Sequence, residues 1–173
     1  MTNPETPETI DPNANWRRVL VYGVLPGVAL VLAMSAGTMK WQDSSVRESN
    51  RAATESLQAA KDSTVALLSY HPATVERDLD AARARTTGAF RDSYTKLVHD
   101  VVIPGAKEKE IATAATVPAA SSVSASENHA VALVFVNQTI TMGKNRPTSS
   151  ASSVRVTMDK VDDQWLVSGF NPV

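Results

Sequence analysis

The sequence predicts an α+β domain carried behind a single membrane-spanning helix. Three observations point there: an uncharged apolar run near the N-terminus, helical periodicity from Trp41 to Ile103, and a change to period two from Ile111 onward. The expected division is a disordered tail over 1–18, a transmembrane helix over 19–39, a juxtamembrane stalk helix over 40–70 and an α+β domain over 71–173.

The tail, MTNPETPETIDPNANWRR, holds three prolines and almost nothing apolar. It buries too little surface to offset the entropy of ordering it. The next segment, VLVYGVLPGVALVLAMSAGTM (Val19 to Met39), is 21 residues without a charge. At about 1.5 Å per helical residue it reaches roughly 30 Å, the hydrocarbon thickness of a bilayer. A cleaved signal peptide has a shorter apolar region, and AMSAG is a poor cleavage site. The length, and a helical pattern that continues past Lys40, favour a retained anchor.

Within the span, Gly23 and Gly27 form a G-x-x-x-G step, and Ala29, Ala33 and Gly37 repeat the four-residue spacing. Small residues so placed let two helices approach closely in lipid, so self-association through the span is one reading. Ordinary helix residues without a partner are the other. Pro26 removes the backbone bond to Tyr22 and bends the helix. No ionisable group lies inside, which excludes a channel lining or proton relay. Arg17 and Arg18 precede the span while Lys40, Arg47 and Arg51 follow, so basic-residue counting does not settle orientation. The pair abutting the span favours an inside N-terminus and an outside domain.

Trp41 to Tyr70 reads as one long helix. Val46, Asn50, Ala53, Leu57, Ala60, Thr64 and Leu67 step by four and three in a heptad-like seam. The first half of that seam is small or polar, and only Leu57 to Leu68 looks like core. Pro72 stops the helix. A second helix starts from the capping Thr74 and places Val75, Leu79 and Ala82 on one face, until Gly88 breaks it. A third runs from Ala89 to Ile103 with Phe90, Tyr94, Leu97, Val98 and Val101 at helical spacing, and Pro104-Gly105 end it.

Ile111, Thr113, Ala115 and Val117 then mark a first strand, which passes into a turn-rich link, AASSVSASENH. The second strand is AVALVFVNQTITM. The third is SSVRVTMDKV, and Asp162-Asp163 turn tightly into the last, QWLVSGF. Helices followed by meandering strands imply an antiparallel sheet covered on one face by helices.

Composition excludes several function classes. Formal net charge is −1, and the part beyond residue 39 carries 15 basic and 15 acidic residues, so no basic stripe recruits nucleic acid. Without cysteine there is no disulfide, zinc-thiolate site or cysteine nucleophile. His71, His99 and His129 are too scattered for a metal-binding pair, and His99 falls on the polar side of its helix. Ser126, Glu127 and His129 share a polar loop with no orienting scaffold. Asp92 precedes Lys96 by the spacing of a surface ion pair. Only Tyr94 is a titratable group on a core-facing position, and a core tyrosine with a satisfied hydroxyl is the commoner case. Asn137-Gln138-Thr139 matches a glycosylation acceptor, but its place within a strand reads as architecture. No catalytic, cofactor or metal site is expected.

Four phrases carry a resemblance: STVALLSY, TTGAFRDSYTKLVHDVVIPGAKEKEI, ATVPAASSVSASENHAVALVFVNQTIT and SSVRVTMDKVDDQWLVSGFNPV. Together they resemble the Mce-associated membrane proteins of actinobacteria across roughly residues 40–173. The resemblance implies a single-pass inner-membrane protein with a cytoplasmic N-terminus and a periplasmic domain shaped as a nuclear transport factor 2-like cone. That cone is shared with the scaffold component of type IV secretion channels. It further implies a non-catalytic accessory subunit of a lipid-import system, with Mce complex proteins and membrane lipid as partners. The alternative on the same fold is a periplasmic module that binds a lipid or small ligand.

Overall fold

In the computed structural model the structure describes residues 48–173. The tail, the apolar span with Gly23, Gly27, Ala29, Ala33 and Gly37, and Val46 of the seam lie outside these residues. Among the described residues no helix is long and apolar enough to cross a membrane.

Helix α1 covers residues 48–68, α2 is Val75–Arg83 and α3 is Gly88–Leu97. A π-helical turn, Val98–Val102, leads into α4, Ile103–Glu108. Four strands follow: β1 Ile111–Ala125, β2 His129–Met142, β3 Thr148–Val161 and β4 Gln164–Pro172. They form one antiparallel sheet in the order β1-β2-β3-β4. This is the α+β architecture the sequence predicts.

Strand alternation decides which face the helices cover. Ala130, Ala132, Val134 and Val136 of β2 are buried, as are Val154, Val156 and Met158 of β3 and Trp165 and Val167 of β4. Their neighbours Phe135, Asn137 and Arg155 are exposed on the other face. The helices contribute Leu67, Val75, Leu79, Ala82, Tyr94 and Val98 to the same core.

The buried stripe of α1 is Ala52, Ser56, Ala60, Ser63, Thr64 and Leu67. Of the expected seam, Ala60, Thr64 and Leu67 are buried, Ala53 and Leu57 are half-buried, and Asn50 is exposed. A straight helix takes about 3.6 residues per turn against the heptad's 3.5, so the inward face drifts toward the N-terminus on stepping back from Leu67. Its residues there are small, which lets the helix lie close to the sheet. The buried Thr64 hydroxyl donates to the Ala60 carbonyl at 2.7 Å, so its own polar atom is satisfied.

Two elements depart from expectation. Pro104 does not end the third helix. The Ile103 N–H bonds the Val98 carbonyl five residues back, and Pro104 falls in the first turn of α4, where a missing N–H costs little. The supposed link after Val117 is strand as far as Ala125. Its serines face solvent while its backbone pairs with β2, through two irregularities, between Thr116 and Ala119 and between Ser122 and Ser124. Pro118 sits in the first of them, on an edge strand, where the ladder does not need its N–H. The Asp162-Asp163 turn is as expected. Both residues have positive φ, 49° and 63°, in a two-residue hairpin loop that favours small polar side chains.

Both outer strands are fastened to helical segments. Tyr70 N–H donates to the Thr113 carbonyl at 3.0 Å and Thr113 N–H returns the bond at 2.9 Å. On the far edge, Val167 N–H donates to Arg85 O at 2.9 Å and Thr87 N–H to Val167 O at 2.8 Å.

Leu67→Ala is expected to cost about 2–5 kcal/mol, and Leu57→Ala clearly less. Ala60→Leu, at a fully buried position, is expected to cost about 1–3 kcal/mol, whereas Ala53→Leu changes little. Urea unfolding of the full chain in lipid nanodiscs ranks the four. Equal losses at Leu57 and Leu67 would mean that α1 is packed equally along its length.

Candidate functional site

A cleft of about 300 Å³ opens between the end of α1, helix α3 with its π-helical turn, and the sheet. Leu67, Leu68, Leu79, Phe90, Val98 and Phe170 supply apolar wall. Phe90 lies 6.0 Å from Tyr94 and 6.3 Å from Phe170, ring centre to ring centre, so one aromatic cluster closes one side. Only Tyr70, Tyr94 and Gln138 bring polar atoms, and no charged side chain lines it. Leu97, at the lining's edge, is 53 % exposed.

Two of these side chains, Tyr94 and Gln138, meet the last carbonyls of α1. Helix ends leave such carbonyls without intrahelical partners. Tyr94 Oη donates to Leu67 O at 3.4 Å, and Gln138 Nε2 to Leu68 O at 3.4 Å, both long bonds. The stronger partner of Leu68 O is the Thr113 hydroxyl at 2.6 Å. Burial, and then the nearby Tyr70, hold the Tyr94 phenol well above the ordinary tyrosine range. Burial also raises Tyr70. Both phenols stay protonated at neutral pH and act as neutral hydrogen-bonding groups rather than as bases.

Tyr94 lies in the core as its helical spacing predicts, whereas Gln138, part of a polar step that reads as architecture, lines the cleft. Alternation along β2 was the available signal: Gln138 continues the inward series Ala132, Val134, Val136. Asn137 points out of the other face. His99 is exposed on the π-helical turn. Ser126 and His129 are brought together only as a hairpin closure, with Ser126 Oγ donating to the His129 carbonyl at 2.9 Å. His129 Nδ1 lies 2.6 Å from Asp159 Oδ1, a cross-strand pair on an exposed surface. Asp92 and Lys96 form no ion pair among the described residues, and these residues hold no metal-ligating cluster. A second concavity, about 530 Å³, lies around Pro118, Phe135 and Asn137, but it is a shallow, open surface on the uncovered side of the sheet.

The fold is an α+β domain similar to solved bacterial structures. An IcmL-like type IV secretion system protein from Legionella pneumophila aligns with a TM-score of 0.59 at 8 % identity, over 68 % of this chain and 88 % of that one. The periplasmic domain of DotI aligns with a TM-score of 0.57 at 15 % identity, over 68 % and 91 %. By sequence, the chain belongs to the family described as "Uncharacterized protein Rv1363c/MT1408-like", whose model matches residues 20–172. "Outer membrane protein Rv1973" of Mycobacterium tuberculosis is 58 % identical over 159 residues, 92 % of this chain and 99 % of that protein.

A phenol whose pKa is higher folded than unfolded leaves stability whole below the unfolded value, near 10, and erodes it as pH rises beyond. Stability is therefore expected to fall more steeply above about pH 10 in the native chain than in Tyr94→Phe. At neutral pH that substitution, losing one long hydrogen bond, costs about 0.5–1.5 kcal/mol. Urea midpoints measured across this range compare the two proteins, so lysines common to both cancel. Parallel curves would show that Tyr94 ionises freely.

Proposed function

We propose that this chain is a non-catalytic, membrane-anchored accessory subunit that stabilises an Mce lipid-import complex of the inner membrane. The observation that carries the proposal is the juxtaposition in one chain of an uncharged apolar run of 21 residues and an α+β domain that follows it. Resemblance to the Mce-associated membrane proteins supports the choice of partners. The periplasmic provenance of the DotI domain supports an N-terminus inside and a domain outside.

The name of the Mycobacterium tuberculosis relative speaks of the outer membrane. Two features favour the inner membrane for this chain. A helix-length apolar run is the element that spans a phospholipid bilayer, and the described sheet is open, whereas a barrel must close on itself. A scaffold spreads its contribution over a surface and a span, whereas a catalyst depends on one or two side chains.

Deleting the chain, or exchanging residues 19–39 for an unrelated span, is expected to lower Mce partner abundance and slow uptake of labelled fatty acid or sterol together. Partners lacking their subunit populate unassembled states that proteases remove. Replacing His99, Asn137 or Glu127 singly is expected to leave both measurements near normal. Immunoblots and uptake rates from the same cultures decide. Uptake lost at normal partner abundance, and reproduced by one point substitution, would replace the scaffold with a specific site. A periplasm-dependent reporter fused after Val173 is expected to be active, with the protein sedimenting in the inner-membrane fraction.

A further inference from the structure

We propose that the cleft between α1, α3 and the sheet binds one uncharged, single-chain amphiphile that carries a hydroxyl head. This goes beyond the assembly role and does not rest on it. Size comes first. At about 30 Å³ per methylene-sized group, a cavity near 300 Å³ takes a chain of roughly ten carbons. Its wall of Leu68, Leu79, Phe90, Val98 and Phe170 offers such a chain apolar contact throughout.

Charge selects the head. No ionic side chain lines the cleft, so a carboxylate or ammonium would lose its hydration there without a counter-charge. Hydrogen bonding narrows it further. The Leu67 carbonyl at the end of α1 accepts only a long bond from Tyr94, and the Gln138 amide likewise makes only a long bond. The negative end of the helix dipole favours a donor at that place. A hydroxyl donates to such a carbonyl and accepts from the Gln138 amide or the Tyr70 phenol. A plain hydrocarbon does neither.

The wall itself supplies an independent sign. Val98–Val102 forms a π-helical turn, a geometry that is rare and concentrated at functional sites. Two of its residues, Val98 and Val102, face the cleft. Beside them Leu97 lines the cleft while 53 % exposed, an apolar residue at the mouth past which a chain can enter.

The test uses the full chain in lipid nanodiscs and a photoreactive decanol with a diazirine near the chain terminus. Crosslinks are expected on residues 67–70 and 90–102 when mapped by mass spectrometry. Unlabelled 1-decanol is expected to compete at least about tenfold better than decanoate or decylammonium, the least that an unpaired buried charge would impose. Leu97→Trp, an exposed position where a larger ring blocks the mouth without entering the core, is expected to abolish most of the labelling while partner abundance in cells stays normal. Tyr70→Phe combined with Gln138→Leu is expected to erase the preference for decanol over decane. Thermal melting checks that each variant folds. Crosslinks confined to other residues, equal competition by the charged chains, or unchanged labelling in folded Leu97→Trp would each overturn the proposal.

Discussion

The attachment of α1's last turn to the edge of β1 governs the arrangement of everything else. Tyr70 and Thr113 exchange backbone bonds, the Thr113 hydroxyl meets the Leu68 carbonyl, and Ser69 Oγ accepts from Ala115 N–H at 3.0 Å. These contacts satisfy groups that a helix terminus leaves open, and they do so with strand partners rather than water. The direction in which α1 crosses the sheet is thereby set. Once it is set, only small side chains fit beneath the rest of the helix, and Ala52, Ser56 and Ala60 occupy those positions.

A second attachment, between Arg85–Thr87 and Val167, holds the start of α3 against the opposite edge of the sheet. Between the two attachments the core is closed, with Leu79 and Met158 almost fully buried. Where Tyr94 and Phe90 stand, the cleft remains. Its polarity follows from the same geometry. The α1 terminus necessarily aims its carbonyls at the gap, and β2 passes beneath with Gln138 facing inward.

Much of this was readable beforehand because period and punctuation agreed. The helix faces Val75-Leu79-Ala82 and Phe90-Tyr94-Val98, the alternation of β3 and the Asp162-Asp163 turn each follow from local residue types. The departures have separate causes. Proline at position 104 normally stops a helix, but a local turn with five-residue hydrogen bonding resets the ladder before it. Serine-rich sequence from Ala119 to Ala125 normally marks a loop, yet a paired neighbour keeps it extended. Gln138 was hidden for a different reason. One polar residue in an inward series reads as a strand leaving its core unless the helix terminus opposite it is known.

The irregular pairing of β1 also affects how neighbouring copies behave. Beyond Thr113 its outer edge meets no strand among the described residues, so backbone donors and acceptors stand ready for a second chain. A flat edge of that kind would invite polymerisation between neighbouring molecules. Two breaks in register and a proline without an N–H make this edge a poor template, because an incoming strand finds neither constant twist nor an unbroken row of donors. The register breaks of β1 thus work against edge-to-edge pairing with a second copy.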